Sequence, residues 1–237
     1  MTPFRRAALV AEGPLAVFGF SLLAALVMQA LRLSEQAAFV LAYIGGVGLS
    51  LGGLVAMARR GSHAIVFCCG GVACFAIALT LRDDLVRVAL INAALLSFAH
   101  GVGGAIGVRV QHPSHLLLAC VVAASTDALS LLLPHGPTHL IASKARVLSM
   151  LSVAFPLDGA SVSPVIGIGD LLFSSLFLNA ARTHALRFGR VAALIAAGLL
   201  CAGALSALFK APIPALVPVA LCLMVGLREM RRGLTRH

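Results

Sequence analysis

Two acidic residues stand where acids are rarely tolerated. Asp127 lies in the run LLLACVVAASTDALSLLLP and Asp170 in PVIGIGDLLFSSLFLNAA, neither of which holds a lysine or arginine. At membrane depth an ionisable group costs about 2.5–3.5 kcal/mol even on the insertion scale, so each needs a partner or a water-lined cavity. Asp127 comes seven residues before Pro134, and Asp170 comes six after Pro164. If those prolines bound two antiparallel helices, a rise of about 1.5 Å per residue puts both carboxylates roughly 10 Å from one membrane face. They can then be each other's partner. A close carboxylate pair does not ionise twice: one member keeps a proton, and the pair titrates as a unit. Such a pair can hydrolyse an amide, the carboxylate activating a water while the acid protonates the carbonyl. The blander alternative is two polar residues joined by a hydrogen bond.

Two further segments bear on the same chemistry. Gly167 and Gly169 flank Ile168 just before Asp170, and backbone without side chains there permits close approach and local unwinding. The stretch Pro212-Ile213-Pro214-Ala215-Leu216-Val217-Pro218 blocks a regular helix because its prolines lack a donor. Its place in the chain returns it to the face nearest both aspartates. Unpaired backbone near Leu216 is expected to face a cavity and align an extended peptide by strand-like hydrogen bonds. A plain proline-rich turn is the competing reading.

The elements that must position these residues are apolar runs. Of 237 residues, 60% are hydrophobic and 11% charged, and the mean hydropathy is +1.04. A soluble domain carries roughly a quarter charged residues, so an ordinary globule is excluded, as is disorder. Runs at about 7–31, 37–58, 64–81, 85–108, 114–133, 164–181, 191–209 and 214–227 approach the roughly 20 residues a spanning helix needs. The expectation is therefore an all-α polytopic membrane protein with eight spans, or nine. It forms one membrane domain over 1–237, an N-terminal four-helix half (1–113) and a catalytic half (114–237). The first run reads as a retained anchor rather than a cleaved signal peptide.

Charge is distributed as orientation requires. Across alternate loops, twelve Lys and Arg fall on one side and six on the other. Both termini are then cytoplasmic and the loop near 135–163 lies outside. The net charge of +10 comes from clusters between apolar runs, with no basic stripe and interleaved aromatics, so no nucleic-acid partner is expected. Sixteen Arg against two Lys suggest a GC-rich prokaryotic genome and a plasma-membrane location. Six cysteines (Cys68, Cys69, Cys74, Cys120, Cys201, Cys222) lie in apolar runs without metal spacing, so neither metal nor cofactor is expected. Asp83 and Asp84 read as solvated and His100 as a packed polar contact. Gly48/Gly52 and Gly103/Gly107 read as helix-packing pairs.

Taken together, the residues resemble the presenilins and their prokaryotic homologues, the GxGD intramembrane aspartyl proteases. Asp127 to Pro134-His135-Gly136-Pro137 is similar to the family's first-aspartate helix and its Pro-x-Gly-Pro turn. Gly167-Ile168-Gly169-Asp170, with Phe173 and Ser175 following, matches the GxGD helix. Phe209-Lys210 and then Pro214-Ala215-Leu216 resemble the segment opening the family's last helix. The likeness covers residues 120–225. It implies a presenilin-like helical bundle that cleaves transmembrane helices inside the bilayer. Asp127 and Asp170 would be the catalytic pair, Gly167, Ile168 and Gly169 would shape the site, and Pro214, Ala215 and Leu216 would complete it. Transmembrane-helix substrates and lipid are the implied partners, and no residue pattern names an accessory subunit.

The chain also departs from the family. Thr126 stands where a tyrosine precedes the first aspartate, and Val217 separates Leu216 from Pro218. Four spans precede Asp127 rather than five. The 43 residues between the aspartates (170 − 127) leave no room for a long processing loop, which implies an unprocessed chain. Presenilins place the aspartate-linking loop in the cytosol, against the charge count followed here. Two rivals stay open: a prepilin-peptidase-like GxGD protease, and a non-catalytic protein. The latter would be a proton-coupled transporter or a degenerate helix-binding homologue.

Overall fold

In the computed structural model, residues 14–24, 26–27, 35–61, 63–133, 144–155, 163–209 and 213–234 are described. The order is α1 (Pro14–Ala24), α2 (Glu35–Arg60), α3 (Ala64–Thr80), α4 (Asp84–Gly107), α5 (His115–Leu132) and a short α6 (Ala145–Met150). Then follow β1 (Ser152–Phe155), β2 (Ser163–Gly167), α7 (Ile168–Thr183), α8 (Phe188–Phe209) and α9 (Leu216–Leu234). Among the described residues, four helices are long and apolar enough to cross a membrane: Val40–Arg60 of α2, together with α4, α5 and α8. The apolar parts of α1, α3 and α9 are shorter, and α7 has 16 residues, about 24 Å of helix. The described residues are nearly all helical, as expected, and within them four of the eight runs reach spanning length.

Helix α4 is the centre of the packing. Ala89, Asn92, Leu96, Ala99 and His100 are among its many buried residues. It lies between α3 and α7, and small residues set both distances. A Cβ on Gly71 of α3 would stand 2.9 Å from the Ala94 carbonyl oxygen. A Cβ on Gly103 or Gly107 would stand 2.3 Å and 2.5 Å from the carbonyl oxygens of Leu172 and Leu176 in α7. Gly103/Gly107 is thus a packing pair. Gly48 and Gly52 meet nothing within 4 Å, so that pair packs no neighbour among the described residues. In the second half, α9 packs on α8 and α5, with Val219 seated on Gly198. Outward faces carry bare apolar side chains, including Ile65, Leu132 and Leu208.

Ends and turns follow local chemistry. Asp83 caps α4, its Oδ1 accepting the N–H groups of Leu85 (2.9 Å) and Val86 (3.1 Å), while Asp84 pairs with Arg87 at 2.5 Å. These two acids are therefore a cap and an ion pair rather than merely solvated. Between α2 and α3, Gly61 has φ +114°, a conformation open to glycine. Helix α7 closes with the Leu186 N–H donating to the Ala181 carbonyl (2.9 Å) and Ala185 at φ 50°.

One expectation needs correction. The run at 164–181 does not begin a helix at Pro164. Residues Ser163–Gly167 form β2, antiparallel to β1, and the helix begins at Ile168. The physical reason is local: Pro164 has no N–H to give a helix, Val165 and Ile166 are β-branched, and Gly167 is extended (φ −72°, ψ 155°).

Candidate functional site

Asp127 lies near the C-terminal end of α5 and is half-buried. Its Oδ2 accepts the backbone N–H of Leu216 at 2.9 Å. Leu216 opens α9, and the first N–H groups of a helix have no partner within it. The prolines thus act through position: they set the start of α9 so that its first donor and the positive end of its dipole meet a carboxylate. This alters the expected role of Leu216. Its N–H is spent on Asp127 rather than left for a peptide.

Asp170 is the third residue of α7 and is also half-buried. Its Oδ2 accepts the Gly167 N–H at 3.3 Å, so the side chain reaches back to cap its own helix. The equal-depth argument from Pro164 therefore gives way to another placement, in which both carboxylates sit at helix N-termini. Gly169 faces open space, with nothing within 4 Å of where a Cβ would stand. The unwinding expected here takes the form of β2, which runs straight into the Gly-Ile-Gly segment.

The two carboxylates open onto one cleft of about 540 Å³ and are within electrostatic reach of each other. All eight site residues read from the sequence line it: Asp127, Asp170, Gly167, Ile168, Gly169, Pro214, Ala215 and Leu216. Hydroxyls of Thr126, Ser130, Ser152 and Ser206 add polarity, and among the described residues no lysine, arginine or histidine lines the cleft. The volume far exceeds the roughly 30 Å³ share of one liquid water. Acids, hydroxyls and space for water without a competing cation are what general acid–base work on a neutral amide requires.

Sequence reasoning missed several wall residues. Tyr43 of α2 faces the cleft, donates its hydroxyl to the Leu199 carbonyl at 2.7 Å, and lies flat against Gly203 of α8. A Cβ on Gly203 would stand 2.2 Å from the ring. The available signal was that Tyr43 is the chain's single tyrosine. Ser152 and Ile166 enter through the small sheet.

His100 is a packed polar contact, as expected. It is fully buried between α4 and α7, 3.3 Å from the Ser175 hydroxyl, with its ring edge against Phe67. Among the described residues no group of His, Cys, Asp and Glu is arranged to hold a metal ion. Glu12, Asp158 and Lys210 lie outside the described residues. No protein-family model, no curated protein and no solved structure matches the chain.

Proposed function

We propose that the protein is an intramembrane aspartyl endopeptidase that cleaves transmembrane helices with Asp127, Asp170 and a water. The observation that carries this reading is the shared cleft. Two carboxylates face it without a basic neighbour among the described residues, walled by the Gly167–Gly169 and Pro214–Leu216 segments. The likeness to the GxGD family rests on those same residues.

In the reaction, the ionised member of the pair takes a proton from water as its oxygen attacks the scissile carbonyl carbon. The protonated member gives its proton to the carbonyl oxygen. Collapse of the tetrahedral intermediate breaks the C–N bond as the proton taken from water passes to the leaving amine. A hydroxyl proton of the intermediate returns to the other aspartate, restoring the singly protonated pair. No cofactor is needed. Because each aspartate already accepts one backbone N–H at Oδ2, its Oδ1 is the oxygen best placed to face water. The substrate must be extended, since a helical backbone buries its carbonyls. The outer edge of β2 has no strand partner among the described residues, and Ile166 and Gly167 of this strand line the cleft. An extended segment can add there by main-chain hydrogen bonds.

On this reading the chain is a polytopic bundle of eight spans, some short, in a prokaryotic plasma membrane. The experiment is cleavage of a model transmembrane substrate by purified protein, comparing wild type with Asp127→Asn and Asp170→Asn. Asparagine keeps an acceptor for the Leu216 and Gly167 N–H groups, so folding is retained. We expect wild type to cut and both variants to lose at least about a thousandfold in rate. Cleavage surviving in either variant rules out the two-aspartate mechanism. A wild type that cuts no substrate but moves solute with protons points instead to a transporter.

A further inference from the structure

The small sheet has two outer edges, and they are treated differently. On β1, Ala154 is 1% exposed and has no further strand beside it among the described residues. A buried backbone N–H or carbonyl left unpaired costs about 1–3 kcal/mol. Asn92, itself 1% exposed in the middle of α4, serves both groups. Its Nδ2 donates to the Ala154 carbonyl at 2.9 Å, and the Ala154 N–H donates to its Oδ1 at 3.0 Å. A carboxamide carries the same donor and acceptor as a peptide unit, so Asn92 stands where a residue of a third strand would. The site calls for such a group. Ala154 is opposite Pro164, which has no N–H, and beside the register irregularity at Val153/Ala154.

The outer edge of β2 is left toward the cleft, where Ile166 and Gly167 line the wall next to Asp170. No residue of α4 lines that cleft. Asn92 reaches the cleft wall through the sheet, by its two hydrogen bonds to Ala154.

We propose that Asn92 is a positioning residue: by closing the outer edge of β1, it confines addition of an extended peptide to β2, beside Gly167 and Asp170. The inference rests on the protease reading above. It assigns part of substrate placement to the N-terminal half of the chain. With the clamp removed, the hairpin keeps its ladder and its packing against α2, but the outer edge of β1 loses the two hydrogen bonds that fix it on α4. Peptide register against β2 then loosens, so affinity falls and cut positions spread, while the carboxylates keep their own caps.

The test uses the full chain with a model transmembrane substrate and two variants. Asn92→Leu keeps the branching and the number of side-chain heavy atoms and removes both hydrogen bonds. Asn92→Ser folds more safely, because the space it leaves admits a water. Two readouts are taken: hydrogen exchange over residues 152–155, which needs no catalysis, and KM, kcat and cut positions. We expect exchange over 152–155 to rise about tenfold in the leucine variant, and less in the serine variant. KM rises in the same order, by about tenfold and less, kcat stays within about twofold, and cuts spread over more bonds. A folded serine variant with wild-type exchange, KM and cut positions overturns the inference and leaves the protease reading standing. So does a fall in kcat alone with KM and cut positions unchanged. A folded wild type that cuts nothing removes both.

Discussion

At the scale of single residues, the glycines of the cleft separate function from packing. Gly169 borders open space and Gly203 is pressed against Tyr43. We predict that Gly169→Ala leaves the melting temperature within about 1 °C of wild type while lowering cleavage, since the new methyl occupies cleft volume. Gly203→Ala should cost about 1–3 kcal/mol, because the Tyr43 ring must move off α8 and lose its bond to Leu199. Thermal unfolding and cleavage rates, measured on both variants, check the contrast. The carboxylates were legible in the sequence because acids are so few: eight in 237 residues, two of them deep in uncharged runs. Their mutual placement was legible for only part of the reason first given. Asp127 and Asp170 meet through two helix starts, and capping by Leu216 and Gly167 depends on side-chain and backbone directions that spacing alone does not encode. Tyr43 stood out only as the chain's single tyrosine, and its place in the site was not legible, since it reaches the cleft from a helix more than 80 residues earlier.

At the scale of elements, the apolar runs translated into helices, except that the run at 164–181 opens as a strand and turns helical only at Ile168. The segment Pro164-Val165-Ile166 continues an apolar stretch, and over so few residues a buried strand and a buried helix have the same hydropathy. Only the register with Ser152–Ala154 settles it as a strand. Small residues behaved likewise: Gly103/Gly107 and Gly48/Gly52 have the same spacing, yet among the described residues only the first pair faces another helix. The turn between α7 and α8 yields a prediction of its own. Ala185 is held at φ 50°, which costs a Cβ-bearing residue roughly 1 kcal/mol or more. Ala185→Gly should therefore stabilise the protein by up to about 1 kcal/mol, the larger unfolded-state entropy of glycine taking back part of the gain. Thermal or denaturant unfolding checks it, and a lower stability would mean that the turn is not the strained point it is taken to be.

At the scale of the molecule, the arginines and the packing agree on polarity. Arg182 at the end of α7 donates to the Ala58 carbonyl at the end of α2, and Arg59 lies over the Phe188 ring at the start of α8. One end of the bundle is thus arginine-rich, while Asp170 opens α7 toward the other. The sequence count of twelve basic residues on one side of the expected spans against six predicts that a reporter fused after His237 reads out in the cytoplasm. An external reporter would reverse the whole arrangement and bring it into line with presenilin orientation. One feature of the cleft wall carries through to the bulk properties of the protein. The chain has no tryptophan and one tyrosine, and that tyrosine is Tyr43. Intrinsic emission excited above the phenylalanine band therefore arises from a single ring between α2 and α8. The unmodified protein thus carries its own optical probe, sensitive to whatever enters beside the aspartates and silent to events elsewhere in the bundle.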